Sequence, residues 1–264
     1  MFEWWRQRRR EKILQEPFPE TWREIMRRQV GHVQYLSPDE TKHLEDLVQV
    51  FLAEKHMEGC GGLKLTDEIR ITVAANACIL LLGLSHDMYR RVDSILVYPT
   101  TVRAPEREPG VFEVPMQAAD PRHPLLGEAH TQGPVIIVWD AARRGSRHPR
   151  SGHNVVFHEF AHKLDMLDGE VDGTPPLRGT ARLRRWAEVC SRVYLELRER
   201  AERGERTLID HYGAHSEAEF FAVATETFFE RGRELQQRHP ELYDVLKDFY
   251  RQDPAARMTR AHRT

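Results

Sequence analysis

Residues 154–167 read Asn-Val-Val-Phe-His-Glu-Phe-Ala-His-Lys-Leu-Asp-Met-Leu, and Asp168-Gly169 follow directly. The apolar residues recur at helical spacing, so the stretch predicts a helix that ends at Asp168-Gly169. His158 and His162 lie on one face of that helix, where both imidazoles can reach one zinc ion at about 2.0–2.1 Å. Glu159 lies beside that face and is placed to accept a proton from an attacking water, as a general base does.

The same pattern has a second interpretation, a core or surface helix without a metal. That interpretation leaves two histidines and a glutamate among apolar neighbours with nothing to compensate for their burial, which costs free energy. The zinc site is therefore the favoured interpretation of this helix.

A catalytic zinc ion takes three protein ligands and leaves a fourth position for water. Asp165 and Asp168 stand where the extended three-histidine motif has its glycine and its third histidine, so the third ligand must be distant in sequence. A second predicted helix, residues 216–229, carries Glu219 and Glu226 on one face, two turns apart. Both are candidates for the third ligand. The alternative is that both belong to a solvated stripe beside a buried phenylalanine face.

Helices and short strands make up the rest of the pattern. A capping box at Ser37-Pro38-Asp39-Glu40 starts one helix, and Thr66 caps a nearly all-apolar helix that ends at Gly83. Further helices are expected at residues 181–203, 216–229 and 240–251, strands at 95–98 and 134–139, and a short strand at 111–114 within the loop-rich stretch 104–132. The order along the chain is helices, then a small sheet, then helices again. This order predicts an α+β fold that is mostly helical, with the sheet beside the metal-motif helix.

The second predicted strand, residues 134–139, precedes the metal-motif helix along the chain and is rich in β-branched residues. As an edge strand it could pair with an extended peptide. As an internal strand it would only fill the core, and both interpretations stay open.

Composition excludes several classes of protein. Of 264 residues, 39 are Lys or Arg and 41 are Asp or Glu, so the net charge of −2 provides no overall basic field for nucleic acid. Three cysteines without close spacing suggest neither a disulfide framework nor a cysteine-ligated zinc site, which favours the reducing cytoplasm. No run approaches the roughly 18 apolar residues of a transmembrane helix.

The amino-terminal residues 1–12 place Phe2, Trp4 and Trp5 ahead of a cluster of arginines. This is the reverse of a signal peptide, in which the charged residues come first, so secretion is not predicted. A solvated arm is the favoured interpretation, and contact with a membrane surface is the alternative.

Several patches taken together resemble one family. Residues 152–165 and the segment Ala218-Glu-Phe-Phe-Ala-Val223 look like the Mlc titration factor A (MtfA) family of bacterial zinc metallopeptidases. Three further patches agree, at residues 95–99, 132–139 and 249–254, and the similarity runs from about Phe18 to Pro254. The combination is far more specific than the zinc motif alone. The resemblance implies a zincin-like, gluzincin-type peptidase related to the catalytic part of anthrax lethal factor.

The resemblance also implies a role for each residue of the motif. His158, His162 and Glu219 would ligate one zinc ion per chain, and Glu159 would be the general base. That assignment favours Glu219 over Glu226 as the third ligand.

Other residues near the motif have less definite roles. Tyr212, seven residues before Glu219, matches the family's proposed catalytic tyrosine, whose phenol would donate a hydrogen bond to the oxyanion. Its alternative is a packing aromatic residue. Glu226, Asp165 and His153 are candidates for orienting a ligand imidazole, although a surface ion pair explains each of them as well.

Two functions follow from the resemblance. The first is a cytoplasmic zinc peptidase, either an aminopeptidase or an endopeptidase, acting on a peptide or protein substrate. The alternative is a regulatory binding protein that sequesters a transcriptional repressor of sugar uptake, with peptidase activity secondary. Neither requires direct contact with nucleic acid. We expect residues 1–17 to be a flexible basic arm, 18–256 one metallopeptidase domain with two lobes around a cleft, and 257–264 a tail.

Overall fold

The computed structural model describes residues 2–100 and 133–260 of the chain. Most of these residues are helical. The helices are α1 (Phe2–Leu14), α2 (Glu20–Gln29), α3 (Pro38–Glu54), α4 (Asp67–Ile79), α5 (Trp139–Arg147), α6 (Val155–Asp165), α7 (Thr180–Glu202), α8 (Glu217–Glu230), α9 (Gly232–Arg238), α10 (Pro240–Tyr250) and α11 (Pro254–Arg260). Short 3₁₀ helices lie at Gly31–Tyr35, His86–Tyr89 and His211–Ala214. Within the described ranges, every helix falls short of the length or the apolarity that a bilayer span requires.

Three short strands form one parallel sheet. In spatial order they are β1 (His56–Gly59), β2 (Ser94–Tyr98) and β3 (Val135–Val138). Ile95 is aligned with Val135, and Val97 with Ile137. All four side chains are buried, because alternate residues of a strand point to the same face. Among the described strands, β3 lies at one end of the sheet.

The predicted mixture of many helices and a small sheet is confirmed, and three of its details are wrong. The sheet includes β1, which was not predicted, and α4 crosses between the parallel strands β1 and β2, as parallel pairing requires. The predicted strand at 134–139 ends at Val138, because Trp139 begins α5. The predicted strand at 111–114 lies outside the described residues.

The third wrong detail concerns the predicted stop at Gly83. The helix α4 ends earlier, at Ile79, and continues as tight turns, with Leu81 N–H donating to Cys78 O and Leu84 N–H donating to Leu81 O. Gly83 serves a different purpose, since a Cβ atom there would lie 2.3 Å from Tyr250 O. The glycine lets the turn approach the end of α10.

The predicted helix starts are present as hydrogen bonds. Ser37 Oγ accepts from the Glu40 backbone N–H, and the Glu40 carboxylate accepts from the Ser37 N–H at 2.9 Å, which completes the capping box before α3. Thr66 Oγ1 accepts from the Ile69 N–H at the start of α4. The following helix is buried throughout Ile71–Ile79, as its apolar sequence predicts.

The segment expected to be a basic arm is helical from Phe2 to Leu14. Arg10 Nε lies 2.7 Å from Glu54 Oε1 on α3, and Arg10 Nη1 lies 2.9 Å from Asp87 Oδ1. Gln49 Nε2 donates to Ile13 O at 2.9 Å. One side of α1 is therefore in contact with α3.

The helices α6 and α8 pack against each other at the centre of the core. The Phe157 ring of α6 lies 5.3 Å from the Phe229 ring of α8, and Phe160 on the next turn of α6 contacts Tyr89 at 4.9 Å. All four side chains are almost completely buried. This apolar packing fixes the separation of the two helices that carry the candidate ligands.

Candidate metal centre

The metal-motif helix begins with a side-chain cap. Asn154 Oδ1 accepts from the backbone N–H groups of Val156 and Phe157, at 3.2 and 3.3 Å, because the first turn of a helix leaves its donors without partners. Every residue of α6 except Lys163 is buried, including His158 and His162. The helix thus holds both imidazoles inside the protein.

The second ligand helix, α8, begins in the same manner. Ser216 Oγ accepts from the Glu219 backbone N–H at 3.2 Å. Phe220, Phe221 and nearly every later residue of α8 are buried, so the helix has no solvated stripe along Glu219 and Glu226. Glu226 is 2% exposed and the Glu219 side chain 16%, so this burial argues against a solvated stripe.

Three candidate ligand atoms converge on one point. His158 Nε2 lies 3.0 Å from Glu219 Oε2, and His162 Nε2 lies 3.4 Å from the same oxygen. The two Nε2 atoms are 3.2 Å apart. Among the residues that the structure describes, these three form the one group of His, Cys, Asp or Glu side chains close enough to share an ion.

This geometry fits a zinc ion. Ligand atoms at about 2.0–2.1 Å from a tetrahedral zinc are roughly 3.3 Å from each other. Glu219 Oε2 is buried and makes no hydrogen bond within the described part of the chain, although two imidazole nitrogens are close to it. The three ligand atoms surround a common point, and a cation there would contact all of them.

Without a metal, the close charges shift the pKa values of the ligands. Burial lowers the pKa of His158, but its contacts with Glu219 and Glu226 outweigh burial and raise the pKa to about 10. Burial opposes ionisation of Glu219, yet the two imidazoles beside it hold the pKa of this carboxyl well below its usual range. The Glu219 carboxyl is therefore ionised, as a metal-binding carboxylate must be.

Glu226 contacts the other side of the first imidazole. Its Oε1 lies 2.9 Å from His158 Nδ1, and its Oε2 accepts from the Asn154 backbone N–H at 2.5 Å. A carboxylate on Nδ1 directs the proton to that nitrogen, so that Nε2 carries the lone pair with which an imidazole ligates a metal. Of the two glutamates that the sequence left open, Glu219 is thus directed at the common point and Glu226 lies behind His158.

The other two orienting candidates are in different surroundings. Asp165 is fully buried, its Oδ2 accepts from the Gly173 N–H at 3.0 Å, and burial raises the pKa of its carboxyl to about 6. Its Oδ1 and His162 Nδ1 are both buried without a hydrogen-bond partner among the described residues. His153, in contrast, is half exposed, and its Nε2 lies 3.7 Å from Asp210 Oδ2 rather than near a ligand.

The candidate general base and the candidate tyrosine are both next to the ligands. Glu159 is 7% exposed, and burial raises the pKa of its carboxyl against the opposing effect of the two histidines. The ring of Tyr212 lies 5.9 Å from the ring of His158. Asp210 Oδ1 accepts from the Tyr212 backbone N–H at 2.9 Å and so caps the 3₁₀ turn that carries this tyrosine.

The sequence alone did not reveal a buried polar network behind the ligands. Glu230, one turn after Glu226 on α8, is fully buried, and its Oε1 lies 2.8 Å from His32 Nε2. Asn154 Nδ2 donates to Asn76 Oδ1 at 3.0 Å and lies 3.4 Å from Glu230 Oε1. The spacing of Glu219, Glu226 and Glu230, three of the four glutamates on α8, could have indicated Glu230, whereas His32 had no local signal.

Comparisons with known proteins identify a family. The sequence model of the glucose-regulated metallo-peptidase M90 family matches residues 2–251, which includes the segment expected to be an arm. An uncharacterized protein of Synechocystis sp., slr2042, is 38% identical over 259 residues, covering 95% of this chain and 90% of the relative.

Relatives with a functional name are somewhat less similar. The Mlc titration factor A of Pectobacterium atrosepticum is 32% identical over 235 residues, covering 84% of this chain and 83% of its own length. The Mlc titration factor A of an Escherichia coli strain is 31% identical over 235 residues, covering 87% and 85%. The match of the family model over almost the whole chain, together with these relatives, shows that the chain belongs to the Mlc titration factor A family of glucose-regulated M90 metallopeptidases.

Proposed function

We propose that this chain is a zinc-dependent peptidase in which His158, His162 and Glu219 hold one zinc ion. The observation that supports the proposal best is the convergence of their three ligand atoms, which lie 3.0–3.4 Å from one another in a buried site. Membership in a metallopeptidase family agrees with it. A zincin-like arrangement, with the substrate between α6 and α8, is part of the proposal.

The bound zinc ion would polarise the scissile carbonyl and make a nearby water more acidic. Glu159 follows His158 on α6 and is not one of the three converging residues, so its carboxylate is available to take the proton of the attacking water. The same group then delivers the proton to the leaving amine. Its burial keeps bulk water from competing for that proton.

Tyr212 completes the proposed machinery. Its ring lies beside His158 on a capped turn, so the phenol can donate a hydrogen bond to the oxygen that becomes negative when the carbonyl turns tetrahedral. An extended peptide would lie along β3, which ends the sheet among the described strands. Just before this strand, Gly133 O accepts a hydrogen bond from Lys163 Nζ of α6 at 2.9 Å.

We place this activity in the cytoplasm. The three cysteines are free thiols in the structure, and Cys78 is completely buried with the pKa of its thiol raised by burial. Buried and unpaired thiols suit a reducing compartment.

A second function is favoured by the names of the relatives. Proteins called Mlc titration factor A suggest a binding partner, which for this chain would be a transcriptional repressor of sugar uptake. Binding requires a protein surface and no turnover, whereas peptide hydrolysis requires Glu159. The Glu159→Gln protein therefore separates the two functions, since sequestration survives this change and hydrolysis does not.

The decisive experiment measures metal and hydrolysis on the same samples. Zinc content is determined by inductively coupled plasma mass spectrometry in the parent and in Glu159→Gln, His162→Ala and Glu219→Ala, with His153→Ala as a control histidine outside the converging group. Hydrolysis is followed with casein and with aminoacyl nitroanilides that carry a free or an acetylated amino terminus. The acetylated substrates distinguish endopeptidase from aminopeptidase action.

We expect about one zinc per chain in the parent, in His153→Ala and in Glu159→Gln, and little zinc in His162→Ala and Glu219→Ala. Hydrolysis should fall by roughly 10²–10⁴-fold or more in the Glu159 variant and in both ligand variants. Full hydrolysis by Glu159→Gln would contradict the mechanism, and full zinc content in Glu219→Ala would contradict the ligand assignment.

A further inference from the structure

The helix α1 is attached to the rest of the protein along one side only. Arg10 is 14% exposed in its ion pairs with Glu54 and Asp87, and Ile13 O accepts from Gln49 Nε2. Arg9 Nη2 also donates to Ala53 O at 3.3 Å. These contacts fix which side of α1 points away from the protein.

The opposite side carries two tryptophans and two cations. At about 100° per residue, Trp4, Trp5, Arg8 and Lys12 lie within roughly 60° of the direction opposite Arg10. We call these four residues the outward face of α1. Trp4 is 51% exposed and Trp5 63%, and both basic side chains are exposed.

Trp4 and Trp5 differ from the other tryptophans in their exposure to solvent. The other tryptophans of the described part are buried or half-buried, whereas the rings of Trp4 and Trp5 are in edge contact at 5.2 Å and open to solvent. The Arg8 guanidinium lies 3.9 Å from the centre of the Trp4 ring. Aromatic and positive groups are thus next to each other, and not on separate faces of the helix.

This combination matches the surface of a bilayer. Tryptophan is favoured at the boundary between lipid tails and water, since its ring is apolar and its N–H needs a polar partner. Arginine and lysine at the same depth meet anionic headgroups. Glu11 lies at the margin of the outward face, where Gln7 Nε2 donates to it at 3.5 Å.

We infer that the outward face of α1 docks on the surface of an anionic phospholipid bilayer. The attraction is local, because the chain has a net charge of −2 and therefore no overall basic field. The two rings enter the headgroup region while Arg8 and Lys12 contact lipid phosphates. The docking is peripheral and reversible, since two rings and two charges bury little surface.

The test is cosedimentation of the full chain with vesicles of phosphatidylglycerol and phosphatidylcholine, and with vesicles of phosphatidylcholine alone. Two double variants change the outward face, Trp4→Ala with Trp5→Ala and Arg8→Glu with Lys12→Glu. Two matched controls change exposed residues elsewhere, Leu183→Ala with Leu195→Ala and Arg184→Glu with Arg233→Glu. Circular dichroism checks that all variants keep the helical content of the parent.

We expect the parent to sediment with the anionic vesicles, less so as salt is raised, and not with the neutral ones. The apparent affinity should fall at least about tenfold in both outward-face variants and stay within about twofold of the parent in both controls. Equal binding to neutral vesicles, equal losses in the controls, or no sedimentation with anionic vesicles would overturn the inference. So would duplex DNA binding that depends on Arg8 and Lys12 without vesicle binding. None of these outcomes depends on zinc or on peptidase activity.

Discussion

Glu226 links the two helices that carry the ligands. One of its oxygens contacts His158 Nδ1 and the other accepts from the backbone at Asn154, so it holds an imidazole and the start of α6 at once. Because the residue is 2% exposed, water cannot replace either contact. We propose that it orients the candidate ligand His158 and does not itself bind the metal.

We therefore expect Glu226→Gln to weaken zinc binding by roughly 10–100-fold, because an amide is a poorer acceptor for the imidazole N–H and leaves the ligand less basic. The measurement is competition for zinc against a chromogenic chelator. Glu217→Gln, an exposed change on the same helix, should keep the parent affinity. An unchanged affinity in the Glu226 variant would remove this orienting role.

Asp165 gives a prediction about pH. Burial raises its folded-state pKa from 3.8 to about 6, so the folded protein holds this proton more tightly than the unfolded chain does. Stability contributed by the protonated carboxyl is complete below pH 3.8 and is lost as the pH rises to about 6. Above that pH the buried, charged carboxylate lowers the free energy of unfolding by an amount that no longer changes with pH.

Asp165→Asn removes this titration. We expect its unfolding free energy, relative to that of the parent, to increase between pH 3.8 and about 6 by up to about 3 kcal/mol, and to stay level above pH 6. Urea denaturation of both proteins at several pH values measures the difference between their unfolding free energies. Groups that titrate alike in both proteins do not contribute to this difference. A difference that is independent of pH would show that Asp165 ionises normally in the folded protein.

At the scale of single elements, the start of α6 depends on Asn154 in two ways. Its side-chain oxygen caps the helix, and its side-chain nitrogen donates to Asn76 and lies close to Glu230. Aspartate preserves the cap but replaces a buried donor with a charge that faces the Glu230 carboxylate. A residue that served only as a cap would tolerate this change.

We expect Asn154→Ala to lower the unfolding free energy by about 2–4 kcal/mol, since it loses the cap and leaves buried partners unsatisfied. Asn154→Asp should destabilise the protein by a similar amount. Ser216→Ala, which removes only the cap of α8, should cost about 1 kcal/mol. Denaturant titration of the three variants measures these values, and a parent-like Asn154→Asp would contradict the role of the buried donor.

The sequence predicted elements well where local signals are strong. The helices α3, α4 and α8 follow from their caps and apolar spacing. The strand β1 has no such signal, since only Met57 of its four residues is buried, and its pairing with β2 makes it a strand. The helix α5 contains Gly145 and begins without a side-chain cap, directly after β3.

In the candidate site, too, contacts within one helix could be predicted from the sequence, whereas contacts between distant segments could not. The spacing of His158 and His162 predicts a shared face, and their side chains do converge. Spacing could not decide between Glu219 and Glu226 as the third ligand, because both lie on one face of α8. The choice depends on where α6 packs along α8, since this determines which glutamate lies near the Nε2 atoms of both histidines. His32 and Glu230 are 198 residues apart and meet only in the fold.

At the scale of the whole molecule, an apolar core surrounds the candidate site and does not include the three candidate ligands. The rings of Phe157 and Phe229 connect α6 to α8, and Trp186 of α7 lies 5.6 Å from Phe221 on the other side of α8. All four are at most 3% exposed. In very small domains a metal supplies most of the folding free energy, but a chain of this size buries enough apolar surface to fold on its own.

Removal of the metal should therefore abolish hydrolysis and leave the fold in place. We expect protein treated with 1,10-phenanthroline to keep its far-ultraviolet circular dichroism at 25 °C, because hydrophobic burial between α6, α7 and α8 does not involve the ligands. The melting temperature should fall by roughly 5–15 °C, since the folded state loses a ligand that the unfolded state binds weakly.

Glu219→Ala is the matched control for chelation. It should melt near the temperature of the chelated parent and respond little to further chelator, while added zinc restores the parent and not the variant. Loss of helical signal on chelation would mean that the carboxylate and the two imidazoles cannot stay close together without a cation, despite the apolar packing around them. In that case the metal would be part of the folding core, and the ligand variants could not be used to separate binding from catalysis.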